Sequence, residues 1–168
     1  QPEATLEQVS LLAAAGCEIV RVAVPNEGCL AGLRSVASES PLPVVADVHF
    51  NGAFGVAAAE AGVHCVRINP GTVGSRQALE TVGRACAAAG IPVRVGVNAG
   101  SLAPALAETY GDASPRALVE SAKQACGILE SVGLDAIKVS LKTSDVVRTV
   151  EAYRLFAAET DYPLHLGI

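Results

Sequence analysis

The chain has 168 residues, 51% of them hydrophobic and 4% aromatic, with no tryptophan and a formal net charge of −5. That length supports one sizeable core, and the acidic balance and scarcity of aromatic rings argue against a nucleic-acid surface. Charges, Gly or Pro interrupt every apolar run before the roughly 18 residues of a membrane span, and the five scattered cysteines, without a C-x-x-C pair, point to reduced, packed thiols in a cytoplasmic setting rather than to a disulfide framework.

Helical periodicity begins at once in QPEATLEQVSLLAAAG. The chain has no methionine, even at position 1, and no leader with a basic start and an apolar centre, so it is expected to be a piece of a longer protein. β-rich runs then recur at 18 to 24 (EIVRVAV), 43 to 49 (PVVADVH), 65 to 69 (CVRIN), 92 to 98 (PVRVGVN), 136 to 142 (AIKVSLK) and 163 to 168 (PLHLGI). Ala/Leu/Glu-rich segments with helical spacing separate them. Gly16, Gly62 and Gly90 stand where helices should stop, and Ser114-Pro115 reads as an N-cap and first helical residue opening a segment that runs to Gly133. Alternating strands and helices imply parallel pairing with right-handed crossovers. No linker interrupts the alternation, so residues 1–168 are expected to form one partial domain.

Side chains two apart in a strand share a face. Val22, Val24, Val44, Val48, Val66, Ile68, Val93, Val95, Val97, Ile137, Val139, Leu141, Leu164 and Leu166 fall in one set. Arg21, Asp47, His49, Arg67, Asn69, Arg94, Asn98, Lys138, Ser140, Lys142 and His165 fall in the other. In an open doubly wound sheet, helices would cover both faces and bury the second set without partners. A barrel resolves the conflict, its aliphatic face against outer helices and its polar face inward. The expected fold is therefore α/β, of the (β/α)8 TIM-barrel type, incomplete, with six parallel strands.

Five of the twelve Lys and Arg residues, Arg21, Arg67, Arg94, Lys138 and Lys142, lie on that polar face. Cations gathered in a confined site call for a polyanion such as a diphosphate. The plain alternative pairs each cation with a carboxylate such as Asp47, but the strand face offers one acid for five cations. Asp47 with His49 and His165 could be read as metal ligands; arginines crowding the same space repel a cation, and no metal is expected. His64 reads as a strand-entry residue. Gly71, Gly74 and Gly100 follow strand ends, where barrels place ligand loops and where NAGS could present N–H groups to phosphate, although Gly is also the ordinary turn residue. Cys17 and Cys65 stand at strand starts, away from the ligand end, and are expected to be structural.

The series VRVAVP, VVADVHFN, CVRINPG, VRVGVNAGSL, IKVSLKTSD and YPLHLGI, in that order, resembles the amino-terminal barrel of the bacterial 4-hydroxy-3-methylbut-2-enyl diphosphate synthases, and the resemblance covers essentially the whole chain. It implies an oxidoreductase of the non-mevalonate isoprenoid pathway whose barrel binds 2-C-methyl-D-erythritol 2,4-cyclodiphosphate. It also implies a four-iron four-sulfur cluster, with ligands in a separate carboxy-terminal domain, and electrons delivered by flavodoxin or ferredoxin to a homodimeric enzyme. Matched to the family's motifs, Arg21, Arg67, Arg94 and either Lys138 or Lys142 would hold the diphosphate. Asp47, His49, Asn69 and Asn98 would contact the remaining oxygens, with Ser140 on the same face. Catalytic residues are not assigned within the chain. Two departures stand out: Thr72 replaces the asparagine that usually follows RINPG, and the segment after ADVHFN lacks a basic residue present in many relatives.

By the same comparison the piece would hold strands two to seven of eight. Alone it is expected to be inactive and to self-associate through its open edges. Two other functions stay open: a pterin-binding synthase-like barrel enzyme, and a non-catalytic assembly fragment.

Overall fold

The computed structural model describes residues 1–167. Five of the six β-rich runs become strands: β1 (Val20–Val24), β2 (Val44–Val48), β3 (Cys65–Ile68), β4 (Val93–Asn98) and β5 (Ile137–Lys142). All pair in parallel, in the order β1-β2-β3-β4-β5. Helices fill the intervals: α1 (Pro2–Ala14), α2 (Leu30–Glu39), α3 (Gly52–Glu60), α4 (Arg76–Ala89), α5 (Pro104–Tyr110), α6 (Pro115–Glu130) and α7 (Val146–Glu159). None of the described helices is long and apolar enough to cross a membrane.

The expectation of six strands needs correction. The run at 163 to 168 contributes a single bridge, Leu164 to Val139, made by the Val139 N–H to the Pro163 carbonyl and the His165 N–H to the Val139 carbonyl. Pro163 has no N–H to extend the ladder toward the start of the run, and the Tyr153 hydroxyl takes the next rung by accepting the Leu141 N–H at 3.0 Å and donating to the His165 carbonyl at 2.7 Å. Ile168 lies outside the described residues. The described residues hold five strands, and the α/β barrel-type alternation stands.

Helix boundaries follow local chemistry. Ser114 Oγ accepts the Ala117 N–H at 3.1 Å with Pro115 at the first helical position, and Ser75 and Asn51 cap α4 and α3 in the same way. Such a cap stabilises a helix by about 1 kcal/mol.

From β2 to β5 the aliphatic alternation is sorted as the parity predicts; Val22 and Leu164 are only half-buried, and Leu166, expected on the same face, is 70% exposed. Val44, Val48, Val66, Ile68, Val93, Val95, Val139 and Leu141 are buried against helix residues that include Leu33, Ala58, Val82, Leu118, Leu129 and Phe156. Removal of this face from water is the main stabilising term, at about 1.5–3 kcal/mol for each buried aliphatic side chain. The helices thus take one face of the sheet and leave the other to the polar set.

Candidate functional site

Register builds the site. Asp47 lies opposite Arg67, Arg67 opposite Arg94, and Arg94 opposite Lys138, so four charged side chains form one row across the polar face. Farther along the strands Gly96 faces Ser140, and Asn98 faces Lys142. Neighbouring like charges in such a row are unfavourable unless something holds them apart or neutralises them.

Asp47, only 4% exposed, anchors one end. Its carboxylate accepts hydrogen bonds from Arg21 and, at 2.9 Å, from Arg67 Nη1, and His49 Nε2 lies 3.2 Å away. Burial alone would raise its pKa; Arg67, through charge and hydrogen bond, and then Arg21 and His49, hold the carboxyl below its ordinary value instead. The paired-carboxylate alternative thus holds for Arg21 and Arg67. Arg21, against the expectation of a buried cation, is half exposed.

Arg67 is 6% exposed and lies across β4. Its Nη2 donates to the Gly96 carbonyl at 3.4 Å, and a Cβ on Gly96 would stand 2.5 Å from Arg67 Nε. Glycine inside a strand ordinarily weakens it; here it makes the bed on which the guanidinium rests.

Arg94, 8% exposed, is held differently. Its Nη1 lies 3.1 Å from His165 Nε2, and among the described residues no carboxylate pairs with it. Its Nε is buried without a hydrogen-bond partner among them. Burial first, then the charges of Arg21 and Arg67, lower its pKa, opposed by Cys65 and Asp47. Burial followed by Arg94, Lys142, Lys138 and Arg21 lowers that of His165. A neutral imidazole is therefore favoured at neutral pH, with Nε2 accepting from the arginine. An anion placed here relieves the mutual repulsion of these cations.

The loops after β3 and β4 are tied together. Asn69 Nδ2 donates to Ser101 Oγ at 2.8 Å, Asn69 Oδ1 accepts the Gly71 N–H at 3.0 Å, and Ser101 Oγ donates to the Asn98 carbonyl at 3.1 Å. The backbones approach so closely that a Cβ on Gly71 would sit 1.6 Å from the Ser101 carbonyl oxygen. Asn69, 2% exposed, therefore turns its amide toward the neighbouring loop.

A cavity of about 540 Å³ opens on the polar face, lined by Arg21, His49, Arg67, Arg94, Asn98, Ser140, Lys142 and His165 together with Ile19 and Val45. Seven of the ten residues singled out from sequence reach it. Asp47 supports the arginines, Lys138 continues the charged row, and Asn69 belongs to the loop tie. The seating role of Gly96 and the loop-tying role of the Ser101 hydroxyl are not evident from the sequence, although a glycine amid β-branched residues marks a close approach. His64, exposed at the start of β3, accepts the Val44 N–H. Cys65, Cys86 and Cys126 are buried; burial, with Cys65 adding to it at Cys86 and Glu130 at Cys126, pushes the Cys86 and Cys126 thiols up to about 12. Among the described residues no group of three or more His, Cys, Asp or Glu is disposed to hold a metal ion.

Parallel strands in sequential order, helices on the aliphatic face and a cation-lined cavity on the other define a segment of an α/β barrel. The chain belongs to the GcpE TIM-barrel domain family, whose model matches residues 1–168. It is similar to proteins named 4-hydroxy-3-methylbut-2-en-1-yl diphosphate synthase (flavodoxin). That of Geobacter sulfurreducens is 49% identical over 165 residues, covering 98% of this chain and 47% of the relative. That of Nocardia farcinica is 48% identical over 166 residues, covering 98% and 43%. The chain thus spans under half the length of these relatives. Among solved structures, a truncated form of 3-deoxy-D-arabino-heptulosonate 7-phosphate synthase from Thermotoga maritima superposes with a TM-score of 0.63 at 14% identity, over 98% of this chain and 58% of that one. That likeness concerns the fold alone.

Proposed function

We propose that this chain is the substrate-binding barrel segment of an oxidoreductase that converts 2-C-methyl-D-erythritol 2,4-cyclodiphosphate to 4-hydroxy-3-methylbut-2-enyl diphosphate in isoprenoid biosynthesis. The observation that carries this is the charged row: Arg67 and Arg94 are both buried, and only Arg67 is matched by a carboxylate. Rigid guanidinium groups at the cavity suit a diphosphate, each able to give two parallel hydrogen bonds to phosphate oxygens. In this reading Arg21, Lys138 and Lys142 add charge, His49, Asn98 and Ser140 meet the remaining oxygens, and Asp47 and Asn69 hold the arginines and loops in place. The names of the relatives support the same activity.

The residues of this chain do not fit an iron–sulfur cluster, since its cysteines are dispersed and three of the five are buried. The ligands of a four-iron four-sulfur cluster belong, in this proposal, to the remainder of the parent protein. Flavodoxin, named in the relatives, is the favoured electron donor, and the parent is taken as a cytoplasmic homo-oligomer.

Calorimetric titration of the full-length parent with the cyclodiphosphate tests the proposal. Arg67→Ala or Arg94→Ala should weaken binding by roughly 2 to 4 kcal/mol with the fold intact. Unchanged affinity in both variants overturns the assignment, as does a wild-type protein that does not bind.

A further inference from the structure

Phe50 combines two unfavourable features beside the site. Its φ is +62°, and the Asn51 N–H donates to the His49 carbonyl at 2.8 Å across it. An i to i+2 hydrogen bond around a residue of positive φ is the rarer, strained form of the γ-turn, and a bulky residue there is an outlier. The other positive-φ residue besides glycine among those described is the small Ala113. Phe50 is also 78% exposed, more than any other large hydrophobic residue described.

The surroundings hold this conformation in place. β2 ends at Val48, and Asn51 already caps α3 by accepting the Ala53 N–H at 2.9 Å, so the chain turns within three residues. Gly, Asn or Asp would make such a turn at lower cost. Strain kept where a cheaper residue exists is a sign of function.

Its position points to a role. Phe50 follows the carboxyl end of β2, the end at which barrels bind ligands. Its ring centroid lies 5.8 Å from that of His49, a cavity-lining residue that contacts Asp47 and Arg67. The aliphatic side chains of the cavity lining, Ile19 and Val45, both stand at the strand-start end. The rest of the lining is polar, made of Arg, Lys, His, Asn and Ser side chains, and is suited to oxygen atoms and not to carbon.

We infer that Phe50 is a substrate-contacting residue whose ring forms the apolar wall against the carbon skeleton of the anion held by the arginines. This inference rests on the substrate proposed above, and two probes separate the contact from that proposal. Binding of the cyclodiphosphate and of inorganic diphosphate is measured by calorimetry on the full-length parent protein as wild type, Phe50→Gly and Phe50→Tyr. Glycine accepts the positive φ, so the turn survives the loss of the ring. Phe50→Gly should weaken cyclodiphosphate binding about tenfold while moving inorganic diphosphate by less than about twofold, because an aromatic face meets only the carbon-bearing ligand. Its melting temperature should not fall, and Phe50→Tyr should bind as wild type does. Equal losses for both probes overturn the inference, since the ring would then act through the arginines. Unchanged binding with a lowered melting temperature also overturns it, since the ring would then pack against another part of the parent. If wild type binds inorganic diphosphate but not the cyclodiphosphate, the substrate proposal fails and this contact fails with it.

Discussion

Gly96→Ala tests how the site holds Arg67. The added methyl group would stand 2.5 Å from Arg67 Nε, 2.8 Å from Nη2 and 3.0 Å from Cζ. Non-bonded contacts settle near 3.5 Å or beyond, so the guanidinium must retreat by about 1 Å. The hydrogen bonds to Asp47 at 2.9 Å and to the Gly96 carbonyl at 3.4 Å then pass out of range. The lost hydrogen bonds of the buried guanidinium cost about 1.5–3 kcal/mol, and alanine lowers the entropy cost of ordering a strand position by about 0.5–1 kcal/mol, so stability should fall by about 1–2 kcal/mol. Binding is the sensitive quantity. A misplaced charge-assisted contact costs about 1.5–3 kcal/mol, or roughly 10- to 150-fold in the affinity of the parent protein for inorganic diphosphate or the cyclodiphosphate. Calorimetry on wild type, Gly96→Ala, Arg67→Ala and the double variant forms a cycle that isolates the coupling. In the Arg67→Ala background the Gly96→Ala change should cost almost nothing. If it costs as much there as in wild type, Gly96 does not act by seating Arg67.

Asp47→Asn should destabilise the protein by about 3 kcal/mol, because it leaves the buried Arg67 without its counter-charge. The depressed pKa of Asp47 means that its stabilisation is present above the ordinary carboxyl value of about 3.9 and fades as pH falls through the lower folded-state value. Urea unfolding of the variant should therefore lose less stability than wild type below about pH 4, and parallel pH profiles would refute this. Asn69→Ala removes the Gly71 N–H acceptor and one of two partners of Ser101 Oγ, which keeps the Asn98 carbonyl, and should cost about 1–3 kcal/mol, with faster hydrogen exchange at 99–101. Adding Ser101→Ala should cost less than the sum of the two single changes. His165, depressed by burial and by Arg94, Lys142, Lys138 and Arg21, should take up a proton when a diphosphate lowers the local positive potential. Titrations in buffers of different ionisation heat should show that uptake below about pH 6.5 and none near pH 8. No uptake at the lower pH would remove His165 from the ligand's neighbourhood.

Much of this arrangement is legible from period-two alternation. Arg67 and Arg94 share a face because strand side chains alternate, and they share a row because consecutive parallel strands with helical crossovers pair in order. PLHLGI alternates equally well, yet a strand also needs continuous ladder partners, and the Tyr153 hydroxyl stands between the Leu141 N–H and the His165 carbonyl where the next rung would form. Asn69 shows a second limit: an amide suited to a substrate oxygen is equally suited to a hydroxyl on the next loop, and only the meeting of the two loops decides. Gly96 and Phe50 lie beyond alternation for related reasons. One depends on where a side chain from another strand comes to rest, the other on a backbone angle that its residue type disfavours.

The strictly sequential strand order also sets a timetable on the ribosome. Synthesis runs at about 5–20 residues per second from the amino terminus, and each new strand can join the last one to emerge without waiting for a distant partner. Arg21 is made first, and Asp47 follows to neutralise it before Arg67 arrives to share the same carboxylate. Only when β4 brings Arg94 beside Arg67 does a cation lacking a carboxylate partner enter the row. The nascent chain thus acquires the shared carboxylate before the two buried arginines meet, and the repulsion between Arg67 and Arg94 is incurred only after a three-stranded platform exists to bear it.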